Sequence, residues 1–238
     1  MSTVRIGMIV PSLNTIAEDD FRRFCPAEIA YHVHRVRLRT EPGKVTVDDL
    51  ARAGRGAEDA GRALLDLKPT AIAFNCTGAS VAGGEGSDRR LAADMTAALG
   101  VPSTNTMLAV KQALEALGVR SLVHVCPFEG ESSEIERRAL EEGGFDVVSS
   151  VALGFTDARV AANLPPEEIA AVGRSRDSDR ADAILLSCAN VRALEAAPVL
   201  EAELGKPVVT SNQAMLWAVT RLAGWRGTIA GGGRLMTC

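Results

Sequence analysis

Short apolar runs closed by proline or small polar residues recur along the chain, separated by stretches with helical apolar spacing. Residues 4–10 (VRIGMIV) end at Pro11-Ser12 and read as a central parallel strand, because such strands are buried on both faces. Asn14 or Thr15 is placed to cap the next helix, and Thr15-Ile16-Ala17-Glu18 fits a capping box. Residues 29–38 alternate β-branched and aromatic residues with His and Arg, a strand pattern. Residues 46–67 have helical spacing and stop at Lys68-Pro69. Ala71-Ile72-Ala73-Phe74 is the next strand and delivers Cys76. The Gly-rich stretch 79–87 reads as a loop that is mobile or holds a ligand closely. A helix over 91–99, a short strand near 101–104 and a helix over 106–117 complete the series, with Gly118 placed to stop the last.

The order then restarts. Residues 121–127 repeat the apolar run ending in proline, and Ser133-Glu134-Ile135-Glu136 offers a second capping box. Strand 145–151, helix 165–176 and strand 181–186 follow, the last delivering Cys188. Residues 206–212 echo 101–105, and 213–222 repeat the closing helix. Pro11 and Pro127 lie 116 residues apart, Pro102 and Pro207 105, and the two cysteines 112. Three marks at nearly one spacing point to a duplication. Strands alternating with helices predict an α/β fold of two pseudo-symmetric, doubly wound parallel-sheet domains. The first is expected to hold residues 1–104 plus 210–238, the second 105–209. In such sheets ligands sit beyond the strand C-termini, where both cysteines fall, so the active site is expected between the domains.

Composition narrows the classes. Of 238 residues, 47% are hydrophobic and 24% charged, enough to bury a core. Aromatics at 4% and a net charge of −4 argue against nucleic acid or an anionic membrane surface as partner. No run of 18 apolar residues suggests a spanning helix, and the first residues lack a signal peptide's layout. Five cysteines (25, 76, 126, 188 and 238) without a CxxC or zinc spacing suggest free thiols in a reducing cytoplasm and no metal. Cys25 and Cys238 read as unremarkable thiols.

Cys76 and Cys188 are the candidate catalytic residues. Each follows a buried strand and precedes small residues, Thr77-Gly78 and Ala189-Asn190, whose backbone N–H groups can face a carboxylate. Two thiols flanking a small acid can divide attack and proton transfer. Both can also be buried structural cysteines. Asn14 is a helix cap, a carboxylate ligand through its amide, or both. His32 and His34, among Arg35, Arg37 and Arg39, read as a solvated edge strand, and His124 as a core residue. With no histidine beside either cysteine, a protease-like Cys-His pair is not favoured.

Val10-Pro11-Ser12-Leu13-Asn14-Thr15, Asn75-Cys76-Thr77-Gly78 with Gly83-Gly84-Glu85-Gly86, and Leu186-Ser187-Cys188 together resemble the maleate cis-trans isomerase family. That family lies in the aspartate/glutamate racemase superfamily, with arylmalonate decarboxylase and hydantoin racemase. Decarboxylases of this kind carry glycine where Cys76 stands, so the pair favours isomerase or racemase chemistry. The resemblance implies a cofactor-free reaction on a small dicarboxylate. Cys76 would attack an alkene carbon of maleate, giving a succinyl-cysteine species, and Cys188 would handle the proton. Ser12, Asn14, Thr77, Gly78, Phe128, Ala189 and Asn190 would bind substrate. The resemblance also implies a homodimer or higher homo-oligomer. Phe128 stands where the family has tyrosine, and Ala158 where it has asparagine, with Asn163 nearby. Both changes remove a polar partner for a carboxylate, which Glu129, Ser132 or Arg159 is close enough in sequence to replace. A racemase or decarboxylase of a related acid, and a small-acid binding domain without chemistry, are the alternatives.

Overall fold

The computed structural model describes residues 4–38 and 45–238; Arg39 and residues 1–3, part of the sequence patterns above, lie outside them. The first half runs β1 (Val4–Pro11), α1 (Ala17–Phe24), β2 (Ile29–Val36), α2 (Val47–Arg55), α3 (Ala57–Arg62), β3 (Ala71–Phe74), α4 (Thr77–Val81), α5 (Ser87–Leu99), β4 (Ser103–Asn105) and α6 (Thr106–Ala116). The second runs β5 (Ser121–Phe128), α7 (Glu131–Glu142), β6 (Asp146–Phe155), α8 (Ala158–Ala161), α9 (Pro166–Arg176), β7 (Ala183–Leu186), α10 (Ala193–Leu204), β8 (Val208–Thr210) and α11 (Ser211–Leu222).

The strands form two four-stranded sheets, ordered β2-β1-β3-β4 and β6-β5-β7-β8. Every pairing is parallel. Strand order reverses between β1 and β3 in one sheet and between β5 and β7 in the other. These are the switch points where a crevice opens beyond the strand ends. β3 and β7, four residues each, are buried along their whole length, as continuous apolar runs in parallel sheets require. β2 is an edge strand, and His34 and Arg35 on it are exposed.

Each half closes with a helix that lies against the other sheet's core. Met107, Val110 and Leu114 of α6 share a core with Leu122, Ala183 and Leu185. Met215, Leu216 and Val219 of α11 pack with Ile6, Met8 and Ala73. Each of the buried Met, Val, Leu and Ile side chains among these contributes about 1.5–3 kcal/mol relative to exposure. The exchange ties the relative placement of the two switch points to both cores. Among the described residues, no helix is long and apolar enough to cross a membrane.

Several local expectations are revised. The stretch 46–67 is broken into α2, α3 and a short 3₁₀ turn. At the α2–α3 junction, a Cβ on Gly56 would stand 2.8 Å from Val36 Cγ2, so glycine permits the close approach to β2. Thr15-Glu18 forms no capping box. Asn14 Oδ1 instead accepts from the Ile16 and Ala17 N–H groups at 3.0 and 2.9 Å. α7 begins at Glu131 behind Gly130, so Ser133 lies within its first turn rather than at its cap. True capping boxes stand at Thr46/Asp49 and Thr210/Gln213. β6 extends to Phe155, beyond the expected 145–151. Residues 79–81 belong to α4, and none of 79–87 lines the cysteine cavity.

Candidate active site

Both cysteine turns are built the same way. Past the end of β3, the Asn75 N–H continues the sheet to Ile9 O at 2.8 Å; past β7, the Ser187 N–H does so to Val125 O at 2.8 Å. Each chain then leaves the sheet at its cysteine. Ser211 links the turns: its Oγ accepts from the Cys188 N–H at 3.0 Å and shares a 2.9 Å hydrogen bond with Thr77 Oγ1. Asparagines complete the link. Asn14 Nδ2 donates to Ala189 O at 2.9 Å, and Asn190 Oδ1 accepts from the Thr15 N–H at 2.9 Å. Asn212 Nδ2 donates to Ala189 O and to Asp20 Oδ2, while its Oδ1 accepts from Asn75 Nδ2.

Between the turns lies a cavity of about 60 Å³. A water needs about 10–15 Å³ by this measure, so the space suits a small acid and not a large cofactor. Asn14, Cys76, Thr77 and Gly78 line it from the first half, and Phe128, Cys188, Ala189 and Asn190 from the second. Ser12 does not. It is exposed, and its Oγ accepts from the Leu38 N–H at 3.1 Å, fixing the chain after β2. The apolar wall of Leu13, Leu38, Val45 and Leu50 is drawn from separate segments, which no local sequence pattern connects.

The donors are fewer than the sequence suggests. The Asn190 side chain is engaged by Thr15 and by Ala158 O, and its N–H reaches Cys188 Sγ at 3.4 Å. The Thr77 hydroxyl is held by Ser211. The Ala79 N–H serves the Cys76 sulfur. The N–H groups of Thr77 and Gly78, in the first turn of α4, have no intrahelical acceptor. They remain for a ligand, with the second amide hydrogen of Asn14.

Neither thiol is set up as a resting thiolate. Burial pushes Cys76 up to about 12; the Ala79 N–H opposes this and the Glu136 charge adds to it. Burial also pushes Cys188 up, opposed by the Asn190 N–H and reinforced by Glu136 and Cys76. The Cys188 backbone has φ 103°, a left-handed conformation that costs a non-glycine residue about 1–3 kcal/mol and is kept where surroundings over-determine it. Cys76, by contrast, has extended backbone at φ −151°.

Glu136 is the lining residue that escaped the sequence reading. Its Oε2 accepts from Ser187 Oγ at 2.5 Å and contacts His124 Nε2 at 3.3 Å. The signal was an acid on the buried stripe of α7, where Ser133, Glu136, Ala139 and Leu140 recur at helical spacing. His124, Cys126 and Glu136 bring one metal-capable atom each to within 4.8 Å of one another. Within the group, His124 Nε2 and Glu136 Oε2 contact each other. Of the residues near Phe128 and Ala158, which both line the cavity, Ser132 joins them. Glu129 does not, Arg159 is exposed and paired with Asp157, and Asn163 donates to Arg159 O.

Known proteins share this architecture over the full chain. A maleate isomerase of Nocardia farcinica is 27% identical over 246 residues, covering 99% of this chain and 96% of its own length. An arylmalonate decarboxylase of Bordetella bronchiseptica is 29% identical over 227 residues, covering 94% and 92%. A cysteine-to-serine mutant of the Nocardia farcinica maleate cis-trans isomerase, solved with a covalently bound succinylcysteine intermediate, superposes with a TM-score of 0.90 at 26% identity, over 98% of both chains. With residues 6–236 matching its family pattern, the chain belongs to the arylmalonate decarboxylase family, in which its relatives include maleate isomerases.

Proposed function

We propose that this protein is a cofactor-independent cis-trans isomerase of maleate or a similar small cis-enedioate. The observation that carries this reading is the pair Cys76 and Cys188, from opposite halves, on one small cavity. A decarboxylase needs no second thiol, whereas addition and elimination across a double bond use a nucleophile and a proton carrier.

In this reading the Thr77 and Gly78 N–H groups and Asn14 hold a substrate carboxylate. The Cys76 sulfur, as thiolate, adds to one alkene carbon, and the π electron pair moves onto the other alkene carbon and into the oxygens of its carboxylate. The Cys188 thiol protonates the neighbouring carbon, giving a saturated thioether. The former double bond, now single, rotates. The Cys188 thiolate removes that proton, the C–S bond breaks, and the trans isomer leaves with Cys76 restored. The N–H donors oppose the charge that builds on the carboxylate during addition. Because both thiols are pushed up, turnover is expected to rise as pH increases from neutral into the alkaline range.

The same reading divides the chain into units 1–104 with 210–238 and 105–209, supported by the packing of α11 on the first sheet. Incubation with maleate, followed by proton NMR for fumarate, tests the activity; no turnover at millimolar substrate removes the maleate assignment. Racemisation or decarboxylation of a related acid is the second reading, favoured by the apolar wall and Phe128. Deuterium entering an α-carbon with no covalent adduct on Cys76 would select it.

A further inference from the structure

Glu136 places a carboxylate on the cavity, and the structure divides its two oxygens. Oε2 is held by Ser187 and contacts His124. Oε1 makes no hydrogen bond among the described residues, yet it is not one of the sealed, partnerless polar atoms. It lies beside Gly78, where a Cβ would stand 3.8 Å from it. Oε1 therefore opens to the cavity beside the first turn of α4. No Lys or Arg is among the described lining residues, and His124 is fully buried behind Oε2. The Glu136 charge reaches both cysteines, since it pushes both thiols up.

A dicarboxylate bound here would place two negative charges beside a third with no lining cation. Like-charge juxtaposition costs several kcal/mol. A carboxylate can only accept hydrogen bonds, so Oε1 has nothing to offer it. A carboxamide suits the same spot, because its NH₂ can donate to Oε1. Phe128 and Ala158 bring no side-chain donor to the cavity for a second carboxylate, and Ser132 beside them brings one neutral hydroxyl.

We propose that Glu136 is a specificity-determining residue that selects, among small cis-enedioates and their half-amides, a monoanion whose second terminus is a neutral hydrogen-bond donor such as a carboxamide. This rests on the isomerase reading above. The test compares maleate with its half-amide, maleamic acid, as substrates of wild type and Glu136→Gln, following the trans products by proton NMR. Wild type is expected to favour the half-amide in kcat/KM by on the order of tenfold to a hundredfold. Glu136→Gln is expected to narrow that ratio by at least about tenfold, chiefly by gaining on maleate. A wild type that favours maleate, or treats both alike, overturns the proposal and leaves the isomerase reading standing. A ratio unchanged in Glu136→Gln also overturns it. If neither compound is isomerised and neither labels Cys76, both readings fall. The wild-type ratio decides even where the buried substitution folds poorly.

Discussion

The two cysteine turns occupy matching positions in a repeated fold, but their backbones differ. After Cys76 the chain enters α4 at once, from an ordinary extended conformation. After Cys188 no helix begins until Ala193, and Cys188 itself is held at φ 103°. The second turn is over-determined: Ser211 accepts from its N–H, Asn190 donates to its sulfur, and Glu136 accepts from the preceding Ser187. Duplication explains why two cysteines meet. In the proposed reaction the local backbone suits a division of work, with Cys76 beside free N–H groups and Cys188 pinned in a strained turn.

The largest expected effect separates the roles. Cys76→Ala should lower turnover of a cis-enedioate by more than about 10³-fold, since it removes the atom that forms the covalent bond. Measurable turnover at near wild-type rate would break the division. Ser211→Ala should come next, lowering kcat by about tenfold to a hundredfold. It removes the hydroxyl shared by both turns, and loses roughly 1 kcal/mol of stability by denaturant titration. A pure stability loss with kcat intact would mean the link does not position the thiols. The smallest effect sharpens the backbone difference. Cys188→Gly should be about 1 kcal/mol more stable than Cys188→Ala, because glycine accepts the left-handed φ without strain. The same pair at Cys76 should show the reverse order.

Much of this was legible in the sequence. The strands delivering the cysteines stood out because four-residue apolar runs flanked by small residues have few other uses in an α/β chain. The positions of Cys76, Cys188, Asn14 and Phe128 on one cavity follow from where β1, β3, β5 and β7 end. Other parts left no local trace. Ser12 has the same residue type as a ligand would, yet its hydroxyl is drawn to Leu38. Asn190 and Thr77 have suitable polar groups, but tertiary hydrogen bonds consume their side chains. Glu136 was hidden by a shifted helix start: Ser133 looked like a cap, while Gly130 with φ 69° begins α7 earlier. The apolar wall comes from residues far apart in sequence, and only the folded chain brings it together.

Peptide mass spectrometry of Cys188→Ala after incubation with a cis-enedioate tests the division of labour most directly. With water supplying the proton in place of Cys188, and its removal slowed, the saturated adduct should accumulate on the peptide containing Cys76 and be absent from Cys76→Ala. An unmodified Cys76 in a variant that still turns over substrate would contradict the covalent role.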